Sequence, residues 1–219
     1  KNLDKKITIL GATSGDTGSA AIDAFKGKKN INVFILHPYN KVSEVQRKQM
    51  TSILDKNIFN IAVEGTFDDC QKIVKDLFVD EKLQKLTSLT AINSINWARI
   101  MTQIVYYFWS FLQLSENKIS FIVPSGNFGN IFSAYTAKKM GLPVQNLHVV
   151  TNQNDILHQI ISSGQMKINK VKETYSPSMD IQISSNFERL LFDILDEDDK
   201  KVVLLMNDLT TKGFFKLDQ

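Results

Sequence analysis

The 219-residue chain is 43% hydrophobic and 22% charged, the balance of an ordinary globular protein with room for one large core or two small ones. Its 26 basic and 23 acidic residues leave a net charge of +3 without a basic stripe, so no nucleic-acid partner is expected. A single cysteine, Cys70, excludes an intramolecular disulfide, and three scattered histidines offer no metal cluster. No leader-like segment and no apolar run of about 18 residues stands out, so no membrane partner is expected and a reducing cytoplasmic setting is the default.

The first third alternates β-rich runs with amphipathic ones: strand 7–10, helix 17–26, strand 33–36, helix 43–54, strand 59–63, helix 67–78. Short apolar strands separated by helices predict a parallel sheet covered on both faces, forming a small α/β domain over 1–85. Residues 80–90 are polar and read as a connection. A helix over 95–114 follows, dense in aromatics (Trp97, Tyr106, Tyr107, Phe108, Trp109, Phe111). Such a stripe reads as core, packed under a second sheet with strands 119–123 and 147–151. Between those strands lies a helix over 131–140, with Gly141 at its C′ position and Pro143 just beyond. Residues 86–219 are thus expected to form part of a larger domain. Their last fifty residues are less regular: a helix over 186–195, the acidic patch 196–199 and one more amphipathic run. No internal repeat or low-complexity tract is visible.

The most informative stretch is Ile122-Val-Pro-Ser-Gly-Asn-Phe-Gly-Asn130, an apolar strand running through a glycine-punctuated turn into a helix. Gly126 and Gly129 let the backbone approach an anion, and the N–H groups and positive dipole end of the following helix face it. A second turn of this type, Gly11-Ala-Thr-Ser-Gly-Asp-Thr-Gly18, follows strand 7–10. Two such turns suggest a ligand with two anionic groups, or a phosphorylated cofactor meeting an anionic substrate. A dinucleotide site would place Asp or Glu at the end of the second strand, where this chain has His37-Pro38, so a nicotinamide-dependent reductase is disfavoured. Thr13, Ser14 and Thr17 instead add hydroxyl donors to the amides, a set suited to a carboxylate. A third cluster, Asn93-Ser-Ile-Asn-Trp-Ala-Arg99, combines helix-capping residues with an arginine about one turn in, able to fork onto a phosphate. Each cluster alone also reads as plain capping chemistry.

Taken together and in this order, the three clusters and the later Ser176-Pro-Ser-Met-Asp-Ile-Gln-Ile-Ser-Ser-Asn-Phe-Glu-Arg189 resemble the threonine synthases, pyridoxal-phosphate enzymes of the β-family. The resemblance runs from about residue 7 to 195. It implies the fold of the tryptophan synthase β-subunit (fold type II), pyridoxal 5′-phosphate as cofactor, and conversion of O-phospho-L-homoserine and water to L-threonine and phosphate. Carried over by position, Gly126, Asn127, Phe128, Gly129 and Asn130 would bind the cofactor phosphate. Thr13, Ser14, Gly15 and Thr17 would face the substrate carboxylate, with Asp16 near the cofactor ring, where sibling enzymes carry Asn. Asn93, Ser94, Asn96 and Arg99 would take the substrate phosphate.

The family's Schiff-base lysine sits in a Pro-Thr-x-Ala-Phe-Lys-Asp type motif a few tens of residues before the first turn, whereas this chain starts ten residues before it. That lysine is expected upstream of residue 1, and Lys26, in Ala24-Phe-Lys-Gly27, is not its equivalent. The chain therefore reads as a central fragment that also lacks the C-terminal part, and it is expected to be inactive alone. Two alternatives remain open: another β-family lyase, such as a threonine dehydratase or cysteine synthase, and a non-catalytic phosphate-binding pseudoenzyme. The oligomeric state is not legible.

Overall fold

In the computed structural model, which describes residues 6–93 and 96–217, the alternating first third forms one four-stranded sheet. Strands β1 (Ile7–Ala12), β2 (Ile31–Pro38), β3 (Ile58–Val63) and β4 (Ser88–Ala91) lie in the order β3-β2-β1-β4, all parallel. Ile9 lies beside Val33 and Leu36 beside Ile61, so β-branched and long aliphatic side chains stack along the pleat. Helices α1 (Asp16–Phe25) and α2 (Glu44–Thr51) bury Ala21, Ile22 and Met50 against Ile9, Val33, Ile35 and Ile58. Helix α3 (Phe67–Val79) opens on a capping box in which Asp69 N–H donates to Thr66 Oγ1 and Thr66 N–H to Asp69 Oδ2.

Residues 80–90 are not the irregular connection that their polarity predicts. They form helix α4 (Glu81–Leu86), capped by Asp80, and strand β4. The Ser-Leu-Thr-Ala sequence of β4 is too short to carry a strand pattern of its own. Pairing with β1, with Ile9 beside Thr90, recruits it into the sheet, so residues 88–91 belong with the first unit. By contacts the chain divides into units 1–93 and 94–219.

The second unit is built from α5 (Trp97–Leu112), β5 (Ile119–Pro124), α6 (Gly129–Lys139), β6 (Val144–Val150), α7 (Ile156–Ser163), β7 (Gln165–Lys167), a 3-10 turn Pro177–Met179, α8 (Phe187–Ile194), α9 (Asp199–Lys212) and β8 (Phe214–Lys216). Strands β5 and β6 are parallel, and β7 and β8 form a short antiparallel pair. Gly164 and Gly213 end α7 and α9 in the left-handed conformation, which turns the chain directly into β7 or β8. Ile100, Ile104, Val123, Phe132, Leu157, Leu191 and Phe215 belong to the common core. The aromatic stripe of α5 is only partly core. The buried row is Ile100, Ile104 and Tyr107, at helical spacing; Trp97 starts the same row at the exposed first turn, whereas Tyr106 and Trp109 lie off it and are exposed. Among the described residues no helix is long and apolar enough to cross a membrane, and no group of His, Cys, Asp and Glu is placed to hold a metal.

Candidate functional site

The first turn joins β1 to α1. Thr13, buried at the end of the strand run, accepts the backbone N–H groups of Gly15 and Gly18, each at 2.9 Å. Two of the amides that the sequence offers to a ligand are thus satisfied within the turn, and Thr13 organises the loop that Ser14, Gly15, Asp16 and Thr17 occupy. Gly15 stands at φ 143° as the N-cap of α1, with no side-chain cap among the described residues. The glycine is required by that φ, which L side chains rarely adopt, and the end of the Gln46 side chain occupies the space that a Cβ would take. Gln46, on α2, donates through Nε2 to Asp16 Oδ1, a contact that nothing in the motif announces because the partner lies thirty positions away on another helix. Lys26 caps the far end of α1, ion-paired with Asp23 at 2.5 Å.

In the second turn, β5 ends at Pro124, and Ser125 N–H closes onto Val150 O of the neighbouring strand at 3.0 Å. Phe128 then adopts the left-handed conformation at φ 61° as the N-cap of α6. Its ring offsets the cost of that conformation by packing edge-on against Phe187, centroids 5.1 Å apart. No side chain caps α6 among the described residues, so its first amides, beginning with Gly129, keep the dipole end of the helix available to an anion. Ser125 is 3% exposed, and its hydroxyl has no hydrogen-bond partner among the described residues; the same holds for Ser184. A buried hydroxyl without a partner is costly, and beside an uncapped helix start it marks a place shaped for an anionic oxygen. Tyr107 donates to Asn130 O at 2.7 Å, and burial pushes its phenol up to about 12, so it stays a donor across the physiological range.

Asn127 does not present its side chain in the way the sequence suggests. Its Oδ1 accepts Ser185 N–H at 2.7 Å, and its carbonyl accepts Asn186 Nδ2 at 3.0 Å. The side-chain oxygen is committed to a segment 58 residues downstream. That segment, 176–189, carries the resemblance without an assigned role in sequence. In the structure it covers the turn: a Cβ on Gly126 would meet Met179 Cα at 3.0 Å. It is anchored by Asn152 and Asn154 at the end of β6. Asn152 Nδ2 donates to Asp180 Oδ1 at 2.7 Å, and Asn154 Nδ2 donates to the same oxygen at 3.0 Å.

The third cluster is less concentrated. Asn96 is the N-cap of α5, its Oδ1 accepting Ala98 N–H at 2.9 Å. Arg99 follows on the first turn, half-buried, and burial lowers its guanidinium pKa from the ordinary arginine value. Asn93 is exposed at the end of the first unit. Ser94 lies outside the described residues.

Parallel sheets flanked by helices, with two glycine-containing strand-to-helix turns, define the class: an α/β protein of alternating strands and helices. The chain belongs to the pyridoxal-phosphate dependent enzyme family, whose profile matches residues 1–210. It is 54% identical over 211 residues to the threonine synthase of Pseudomonas aeruginosa, covering 95% of this chain and 45% of that protein. It is 49% identical over 229 residues to the threonine synthase of Saccharomyces cerevisiae, covering 98% and 45%. The crystal structure of pyridoxal-phosphate-bound threonine synthase from Brucella melitensis superposes with a TM-score of 0.88 at 50% identity, over 98% of this chain and 47% of that one. Cysteine synthase from Entamoeba histolytica, with a TM-score of 0.61 and 14% identity over 83% of this chain and 50% of that one, shares the fold alone. The chain spans about half the length of the curated relatives it matches. The residues present fit the phosphate of the family's cofactor, because the buried Ser125 hydroxyl, without a partner among the described residues, belongs to the turn that leads into the start of α6, which no described side chain caps.

Proposed function

We propose that this chain is the part of a threonine synthase that holds the cofactor phosphate and the substrate carboxylate. The activity of the whole protein would be conversion of O-phospho-L-homoserine and water to L-threonine and inorganic phosphate. In that reaction the Cγ–O bond to phosphate breaks and the oxygen of water ends on Cβ. The observation that carries the reading is the second turn, where an uncapped helix start, a left-handed Phe128 and a partnerless Ser125 hydroxyl meet in a sequence about half identical to named threonine synthases.

Bound pyridoxal phosphate supplies the electron sink for charge developing beside the amino-acid nitrogen. The chain supplies the grip. Backbone amides of Gly126, Asn127, Phe128, Gly129 and Asn130, with the Ser125 hydroxyl, hold the cofactor phosphate by charge-assisted hydrogen bonds. Ser14, Gly15 and Thr17 hold the substrate carboxylate at the start of α1, Thr13 shapes that turn from behind, and Asp16 faces the cofactor ring. Arg99, Asn93, Ser94 and Asn96 are the candidates for the substrate phosphate, where a guanidinium fork suits a dianion. Units 1–93 and 94–219 correspond in this reading to a small domain and part of a large cofactor-binding domain. A reducing cytoplasmic setting agrees with the single cysteine.

The test is phosphate release from O-phosphohomoserine by the purified protein at its natural length, with and without pyridoxal phosphate. Cofactor-dependent release accompanied by threonine formation is expected. Release of ammonia and a keto acid from threonine, without action on the phosphorylated substrate, would move the protein to the dehydratase branch.

A further inference from the structure

Four buried side-chain atoms lack a hydrogen-bond partner among the described residues: His37 Nδ1, Asn60 Oδ1, Ser125 Oγ and Ser184 Oγ. The two in the second unit are both serine hydroxyls, on residues 3% and 2% exposed, and they come from the two stretches of chain that meet at the second turn. Contacts on both sides tie Ser184 to that turn. Before it, Ile181 Cδ1 lies 3.5 Å from where a Cβ of Gly126 would stand. After it, Ser185 N–H donates to Asn127 Oδ1 at 2.7 Å, Asn186 N–H donates to Asn127 O at 3.3 Å, and the Phe187 ring packs on Phe128. A serine at such a place ordinarily satisfies itself locally, by accepting the amide two or three residues further on. Here both amides are already engaged, Asn186 N–H with Asn127 O and Phe187 N–H with Ser184 O at 3.0 Å.

Nor do the two hydroxyls bond to each other, since each is without a partner. Two unsatisfied hydroxyls buried in one small region are costly unless a bound molecule accepts from them. A water molecule could accept from both, but the start of α6, which no described side chain caps, adds a preference for negative charge. Phosphate combines that charge with several acceptor oxygens. We propose that Ser184 is a phosphate-binding residue, donating to one oxygen of the phosphate that Ser125 and the amides of the second turn hold. This rests on the reading above that the turn holds the cofactor phosphate. The segment 176–189 is then a wall of the site as well as its cover.

The experiment compares affinities for pyridoxal phosphate and for pyridoxal, which lacks the phosphate, by fluorescence titration of the protein at its natural length. Their ratio measures the hold on the phosphate alone. Ser184→Ala is expected to lower the ratio about 5- to 10-fold, the equivalent of one lost hydrogen bond, with pyridoxal binding unchanged. The ligand-free variant should keep or raise the native denaturant midpoint, because a partnerless hydroxyl has been removed. Ser184→Cys keeps nearly the shape of serine but donates weakly, and it should give a similar loss should the alanine variant not fold. A ratio that Ser125→Ala lowers and both Ser184 variants leave unchanged overturns the role of Ser184 and leaves the turn as the phosphate site. A ratio that neither Ser125→Ala nor Ser184→Ala lowers overturns the placement of the phosphate, and the proposal with it. Equal loss of affinity for both ligands, together with a lower denaturant midpoint, makes Ser184 a packing residue and also overturns the proposal.

Discussion

Ser185 donates its backbone N–H to Asn127 Oδ1 at 2.7 Å, so a side chain in the middle of the phosphate turn holds the segment that covers that turn. Asn127→Ala would strand a partly buried N–H. It should cost about 1–3 kcal/mol of stability by chemical denaturation. Asn127→Asp keeps the acceptor and should stay closer to the native stability, while its added negative charge near the start of α6 weakens phosphate binding. Equal stability for the alanine variant and the native protein would remove the structural role assigned here.

Ser125→Ala separates fold from ligand. The native hydroxyl is buried without a partner among the described residues, so its removal relieves a desolvation cost, and the ligand-free protein should be as stable as the native one or more so. Affinity for pyridoxal phosphate should fall about 5- to 10-fold, the equivalent of roughly 1–1.5 kcal/mol in one hydrogen bond. Denaturant midpoints and a fluorescence titration read the two effects independently. If both fell together, Ser125 would be a packing residue.

Gly15→Ala tests the first turn. The new Cβ meets the end of the Gln46 side chain in a backbone conformation unsuited to L residues. A loss of about 1–3 kcal/mol is expected, by thermal or denaturant unfolding. Gly141→Ala, at φ 102° but with open space around it, isolates the backbone contribution and should cost less.

The parallel β/α order of the first unit was legible because each strand there is a short β-branched run flanked by amphipathic helices. Strand β4 was not, since its four residues carry no period and owe their conformation to β1. The short pair β7 and β8 was missed for the same reason, although Gly164 and Gly213 signal the two helix ends that launch it. Both glycine turns were legible as strand-to-helix turns from local spacing alone. What spacing could not supply was the long-range partner: Gln46 over Gly15, Met179 over Gly126, and Ser185 on Asn127. These contacts also change what the predicted residues do, turning Thr13 and the side-chain oxygen of Asn127 inward.

Asp193 couples α8 to α6 through Tyr135 and Lys139. The Lys139 ammonium, then the Tyr135 hydroxyl, hold the Asp193 carboxyl below its ordinary range, and the same carboxylate raises Lys139 and Tyr135. For the depressed acid, the stability contribution is complete above the unfolded carboxylate pKa of about 3.9 and disappears as pH falls through the lower folded value. For the raised lysine it is complete below about 10.4 and is lost as pH rises through the higher folded value. The difference in melting temperature between the native protein and Asp193→Asn should therefore be constant from about pH 5 to 9 and shrink at both extremes. A difference independent of pH would mean that packing, and not charge, accounts for it.

Asn154 reaches the turn from a distance. It is 4% exposed; its Oδ1 accepts Lys172 N–H at 2.9 Å and Gln182 Nε2 at 3.2 Å, while its Nδ2 donates to Lys172 O and Asp180 Oδ1. Asn154→Ala takes its partner from the buried Gln182 Nε2 and from the part-buried backbone groups of Lys172, while Asp180 Oδ1 keeps Asn152 and Thr174, a loss of about 1–3 kcal/mol. The local consequence is more telling than the global one. Residues 172–182 are tied to β6 largely through Asn152 and Asn154, and Met179 within them closes over Gly126. Hydrogen exchange should therefore accelerate in 172–185 of the variant well before it does in α5 or α6, and phosphate affinity should drop although no cradle residue has changed. Uniform acceleration across the second unit would show that Asn154 stabilises the unit as a whole and does not act on the cover of the turn.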